Sequence, residues 1–211
     1  MAVKILKVGK KAPASRAITK AAAVVKAGGL VVYPTETVYG LGADACSDEA
    51  VAKVFAAKVR PLESPISVAV SSIEMARQVA ELTPVAETLL KKFAPGPLTV
   101  VVKAKPTVSK LLTSGTGKVG IRVPDHPAAL RLIEFAGGPI TTTSANVSGG
   151  PPPTTVKEAL GQLGDKIDLA LDAGRCELRT PSTVVDLSTK HLKILREGPI
   201  TGGDIRKALR T

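Results

Sequence analysis

The 211-residue chain has no tryptophan, two cysteines, two histidines, three phenylalanines and two tyrosines. Cys46 and Cys176 stand in no C-x-x-C spacing, which excludes a disulfide framework or a zinc cluster. With His126 and His191 as the whole histidine supply, a His/Cys metal site and a Ser-His-Asp triad are excluded as well. So few aromatics argue against stacking on single-stranded bases. No apolar run reaches membrane-spanning length, and the N-terminus has no apolar signal-peptide core, so the expected location is a reducing cytosol with no membrane partner. Walker A and G-x-S-x-G patterns are absent. Gly115-Thr-Gly-Lys-Val-Gly120 has G-x-G-x-x-G spacing, but a strand follows it where a dinucleotide site requires a helix.

Acid is also missing over a long stretch. Met1 to Thr35 contains Lys4, Lys7, Lys10, Lys11, Arg16, Lys20 and Lys26 and no Asp or Glu. A second basic run extends from Lys190 to Arg210, and the net charge is +11. Such imbalance suits a polyanion, RNA or a nucleoside triphosphate, met through phosphates rather than bases. A basic surface without a specific partner has the same composition.

Helix and strand signals alternate. Ser15 caps a periodic segment ending at Gly28-Gly29, followed by a strand over Leu30–Tyr33. Ser47 caps a helix that stops near Pro61, and Ile66–Val70 is a strand. Ser71 with Glu74 has capping-box spacing, and Thr83-Pro84 opens a helix to about Phe93. Leu98–Lys103 and Val119–Val123 are strands, Asp125-His-Pro127 opens a helix to about Phe135, and Ile140–Thr143 is a strand. Thr155 with Glu158 caps a further helix. Leu169–Leu171, Thr183–Asp186 and Leu192–Leu195 are strands, and Thr201 caps a last helix. The pattern predicts one α/β domain over 1–211, with a twisted mixed parallel and antiparallel sheet flanked by helices. The only linker-like stretch, Ser148-Gly-Gly-Pro-Pro-Pro-Thr-Thr155, is too short to mark a boundary.

Three constellations carry chemistry. The strand Gly29–Tyr33 breaks at Pro34 into Thr35-Glu-Thr-Val-Tyr-Gly-Leu-Gly42, hydroxyls and glycines where a core strand would continue apolar. Val51, Phe55 and Lys58 share one helical stripe, and Pro61 turns Arg60 out of the helix, so two cations leave the helix end together. They either meet a ligand or complement the helix dipole. Thr142, Ser144 and Asn146 point to one side of an extended chain at a strand end, as a ligand wall or as a polar turn. Arg122, between Ile121 and Val123, faces either water or a ligand carboxylate.

Together these pieces resemble the YrdC-like family of threonylcarbamoyl-AMP synthases. The matching segments are Tyr33-Pro-Thr-Glu-Thr-Val-Tyr-Gly-Leu-Gly42, Lys58-Val-Arg-Pro61, Pro95-Gly-Pro-Leu-Thr99, Gly120-Ile-Arg-Val-Pro124, Ser144-Ala-Asn-Val-Ser-Gly149, Ser182-Thr-Val-Val-Asp186 and Arg196-Glu-Gly-Pro-Ile200, in family order. The resemblance implies a YrdC-like sheet with a concave basic surface. It implies a reaction in which L-threonine, bicarbonate or CO2, and ATP give threonylcarbamoyl-AMP and pyrophosphate. The product then passes to partner proteins that modify tRNA. Lys58, Arg60, Ser144, Asn146 and Arg196 would contact ATP, with Lys58 and Arg60 catalytic. Thr35, Arg122, Thr142 and Ser182 would hold threonine. Mg²⁺ would arrive with ATP and take no protein side-chain ligand. The chain departs from the family in two places. Ile66-Ser-Val-Ala-Val70 has no histidine, near Ala69, where many members have one, and Pro181 replaces an acid before Ser182. With no further domain after Ile200, the short single-domain form is expected. The rival reading is a non-catalytic protein that binds tRNA, double-stranded RNA or the ribosome through the same basic surface.

Overall fold

A computed structural model describes residues 3–9, 13–189 and 191–210, so Lys10, Lys11 and Lys190 of the basic runs lie outside the described residues. The elements run β1 (Lys4–Lys7), α1 (Ser15–Lys26), β2 (Val31–Tyr33), β3 (Gly40–Gly42), α2 (Asp48–Lys58), β4 (Val68–Ala69), α3 (Ile73–Val79) and β5 (Ala80–Glu81). Next come α4 (Pro84–Phe93), β6 (Leu98–Ala104), α5 (Lys110–Thr113), β7 (Lys118–Arg122), α6 (Pro127–Ala136), β8 (Ile140–Thr141) and β9 (Thr143–Ser144). The chain ends with α7 (Val156–Leu163), β10 (Leu169–Asp172), β11 (Thr183–Asp186), β12 (Lys193–Arg196) and α8 (Gly202–Ala208).

The strands form two mixed sheets where the sequence pattern predicts one. The first has the order β1-β10-β2-β3-β9, and the second β12-β11-β6-β7-β4-β8 with β5 against β6. In the first, β1, β10 and β2 are parallel and β3 and β9 antiparallel. In the second, β6 lies parallel to β11 and antiparallel to β7, which is parallel to β4.

The expected strand Ile140–Thr143 is two strands in different sheets, because the chain changes sheets at Thr142. Ile140 and Thr141 pair with β4, whereas Thr143 and Ser144 pair with β3. Thr141 makes the crossing possible: its Oγ1 donates to Leu41 O at 2.8 Å and accepts from Ala43 N–H at 3.0 Å. A fully buried hydroxyl thus replaces the ladder bonds that a continuous strand would have supplied. Thr141→Val keeps the shape and leaves the Ala43 amide without that acceptor. It is expected to cost about 2–3 kcal/mol, read as a lower chemical-denaturation midpoint.

Two caps fall one residue from their predicted places. Ala14, not Ser15, precedes α1 and offers no side-chain cap; Ser72, not Ser71, accepts from Met75 N–H. Ser47, Thr83, Thr155 and Thr201 cap as the sequence predicts. Two apolar cores result. The smaller packs α1 and α6 on β2 and β10 through residues such as Ile18, Val25, Leu132 and Leu171. The larger holds α2, α4 and α7 against strands of both sheets, through residues such as Val32, Leu41 and Ala170 of the first and Val68, Val100 and Ile121 of the second. The first sheet's turn and the second sheet's open face meet at the Thr142 crossing.

Candidate active site

There the fold opens into a cavity of about 410 Å³. Its floor is one face of the second sheet, read with the period of two that strands impose. Thr99 and Val101 project from β6; Lys118, Gly120 and Arg122 from β7; Val184 and Asp186 from β11, continuing the Ser182 side of the chain. The walls are Thr35 and Val38 from the turn after β2, Arg60 with Pro65–Ser67, Thr142–Ser144 at the crossing, and Leu195 with Arg196 from β12.

Of the residues singled out in the sequence, Thr35, Arg60, Arg122, Thr142, Ser144, Ser182 and Arg196 all line this cavity. Lys58 and Asn146 stand behind the wall. Lys58 is buried, and its Nζ donates to the carbonyls of Ser144 and Asn146 (2.6 Å to the latter) and approaches Asn146 Oδ1 at 3.4 Å. Its partners belong to the crossing loop, so the helix-dipole reading of this cation is overturned. Burial, and then the nearby charge of Arg60, bring its ammonium down to about 7. The Asn146 amide donates to Val147 O and Gly150 O at 2.9 and 2.7 Å, fixing the loop that carries Ser144.

The two cations separate because Val59 takes a left-handed conformation, φ 51°, where a β-branched residue is strained. The turn sends Lys58 inward and Arg60 to the cavity wall. Arg60 Nε and Nη2 donate to Ser64 O and Pro65 O at 3.0 and 2.9 Å. At the opposite wall Arg196 Nε donates to Ser182 O at 2.9 Å and Nη2 to Ser182 Oγ at 3.2 Å. Ser182 Oγ also shares a proton with Thr99 Oγ1 at 2.8 Å.

Arg122 does not face water, the other option its sequence left open. β7 is an inner strand and its Arg122 is buried: Nη2 donates to Thr37 Oγ1 at 2.8 Å and stands 2.8 Å from Glu36 Oε1. Thr35 Oγ1 donates to Val38 O at 2.6 Å or shares its proton with Thr37 Oγ1 at 2.9 Å, which ties the turn to Arg122's partner. Ala69, near which the resemblance leads one to expect a histidine, is buried in the smaller core and paired in register with Arg122. Ser67, two residues earlier, lines the cavity instead.

Ser67, Thr99, Lys118, Gly120 and Asp186 were missed in the sequence. Alternation in β7 and β11 was the available signal: Lys118-x-Gly-x-Arg122 and Ser182-x-Val-x-Asp186 each present one face. A Cβ on Gly120 would stand 2.3 Å from Ser67 Oγ, so glycine keeps this part of the floor flat.

The sequence profile of the Sua5/YciO/YrdC family, described as Telomere recombination, matches residues 23–198. A curated threonylcarbamoyl-AMP synthase of Pyrococcus abyssi is 40% identical over 190 residues, which are 90% of this chain and 56% of that protein. A putative threonylcarbamoyl-AMP synthase of Mycobacterium tuberculosis is 41% identical over 196 residues, 92% of this chain and 90% of that one. The crystal structure of P. abyssi Sua5 complexed with L-threonine superposes with a TM-score of 0.94 at 38% identity, covering 97% of this chain and 60% of that chain. This chain therefore spans a little over half of the Pyrococcus relative and most of the mycobacterial one.

Proposed function

The chain belongs to the Sua5/YciO/YrdC family, and from that premise we propose that it is a threonylcarbamoyl-AMP synthase, joining L-threonine, bicarbonate or CO2, and ATP with release of pyrophosphate. One observation carries the reading. Arg60, Arg122 and Arg196 converge from three separate elements on one cavity lined by hydroxyls. Nucleotidyl transfer asks for this: positioned donors and fixed positive charge, with little covalent help from the protein.

The steps balance without a protein nucleophile. The threonine amine adds to CO2 and loses a proton, giving a carbamate. A carbamate oxygen attacks the α-phosphorus, and the bond to the pyrophosphate oxygen breaks. In this reading Arg122 faces the threonine carboxylate, for which a guanidinium fork is well shaped. Thr35, Thr142 and Ser182 surround the amino acid. Arg60 and Arg196 receive the phosphates with Ser144, while Lys58 and Asn146 brace the Ser144 loop and Lys58 adds charge behind it.

Among the described residues no three His, Cys, Asp or Glu side chains gather to hold a metal ion. In this reading Mg²⁺ arrives with the phosphates of ATP and neutralises their charge. The product is a mixed anhydride for transfer to tRNA-modifying partner proteins, and the basic charge would favour their tRNA. No helix among the described residues is long and apolar enough to cross a membrane.

Pyrophosphate release measured with ATP, L-threonine and bicarbonate, omitting each in turn, tests the reading. Release only in the complete mixture is expected. Tight tRNA binding without any threonine-dependent release would favour a non-catalytic RNA-binding protein.

A further inference from the structure

Arg122 and Glu36 form a buried pair that spans the partition between two cavities. Arg122 lines the large cavity. Glu36 does not; it lines a second cavity of about 210 Å³ on the other side of the Pro34–Glu36 segment, together with Asp125 and Glu177. The Glu36 side chain is nine-tenths buried, and its Oε1 lies 2.8 Å from Arg122 Nη2. Yet neither carboxylate oxygen accepts an aligned hydrogen bond. The contact is therefore one of charge more than direction. What orients Arg122 is the set of acceptors elsewhere: Thr37 Oγ1 at 2.8 Å and Gly96 O at 3.4 Å.

We infer that Glu36 is the internal counter-ion of Arg122 and sets how tightly that guanidinium holds a substrate carboxylate. The inference rests on the reading above, in which Arg122 faces the threonine carboxylate. In the empty site Glu36 neutralises a buried cation that would otherwise be stranded. When a second carboxylate arrives, one guanidinium serves two anions, and their repulsion weakens the newcomer. The second cavity adds to that field. Asp125 is held above the usual carboxylate range by burial and then by the charges of Glu36 and Glu177, so Glu36 acts across it. Glu36 is thus a positioning and tuning residue: it touches Arg122 and does not line the substrate cavity. Its function would be to keep the amino acid from binding so tightly that the adduct cannot leave.

Glu36→Gln isolates the charge, since the amide keeps the shape and Arg122 keeps its other acceptors. Calorimetric titration with L-threonine and with L-threonine amide, which has no carboxylate, reads the effect. The variant is expected to bind L-threonine about 5- to 50-fold more tightly, with amide affinity unchanged, although the ligand-free protein melts at a lower temperature. Simple structural damage would instead weaken the binding of L-threonine and of its amide together. Asp125→Asn, on the second cavity, gives a smaller tightening of the same sign and serves if Glu36→Gln does not fold. Unchanged or weaker threonine binding, or an equal shift with the amide, overturns the inference. If wild-type protein binds L-threonine and Glu36→Gln binds it equally, the inference alone fails. If wild type does not bind L-threonine, the proposed activity fails and the inference with it.

Discussion

Lys58→Met is expected to lower threonylcarbamoyl-AMP formation by about 10²-fold or more, the usual effect of removing one preorganised electrostatic donor. The side chain is buried and holds the carbonyls of Ser144 and Asn146, so the variant loses both a charge behind the phosphate wall and the brace of the loop carrying Ser144. Stability should respond differently from activity. The ammonium has its pKa lowered from 10.5 to about 7 on folding. Between those values the unfolded chain holds more protons than the folded one, so stability rises with pH through that window. From pH 7 to 9 this one group contributes roughly 2–3 kcal/mol of that rise. Lys58→Met removes the contribution. Denaturant unfolding of both proteins at pH 7 and pH 9 checks it: the wild type gains over the variant on going to pH 9. An equal pH response in the two proteins would show that Lys58 is not a desolvated ammonium.

Gly198→Ala is the second change with a large expected effect. A Cβ at this position would stand 2.5 Å from Pro181 O, 2.6 Å from Thr183 N and 2.8 Å from Ser182 C. These are backbone atoms of the segment entering β11, and no side chain can turn aside to make room. The segment after β12 must separate from β11. That strains the bonds joining Thr183 Oγ1 to Ile200 O and N, and the bond from Arg196 Nε to Ser182 O. A cost of about 3 kcal/mol is expected, lowering the melting temperature by about 6–12 °C. Activity should fall about 10- to 100-fold below the melting range, because Ser182 and Arg196 leave their places on the cavity wall. Wild-type stability and activity in Gly198→Ala would mean that the two chain segments are not held in this close contact.

Much of this site is legible in the sequence, for identifiable reasons. Polar residues interrupting a core strand at Pro34–Gly42 marked one wall. Proline after Lys58-Val-Arg60 marked the helix end from which two cations leave. The alternation of Thr142, Ser144 and Asn146 pointed to another wall: Thr142 and Ser144 line it, as does Thr143 between them, whereas Asn146 stands behind it. What stayed illegible depends on contacts far apart in sequence. Nothing local announces that the chain changes sheets between Thr141 and Thr143, because the bonds that permit it come from Leu41 and Ala43. Nothing local says that Arg122 is buried either; an arginine between two aliphatics reads the same on an edge strand. The direction of Lys58, toward Ser144 and Asn146 rather than into the cavity, is likewise set by residues some 90 positions away. The short strands β3, β5 and β9 are too brief, and β3 too glycine-rich, to leave a periodic signal.

The most direct measurement follows carbon from labelled bicarbonate into a nucleotide product. With ATP and L-threonine present, the protein should convert label into an adduct carrying threonine, the labelled carbonyl and AMP, with one pyrophosphate released per adduct. Omitting threonine should abolish both. Label that never enters a nucleotide in the complete mixture, from folded protein that still binds ATP and L-threonine, would contradict the proposed activity.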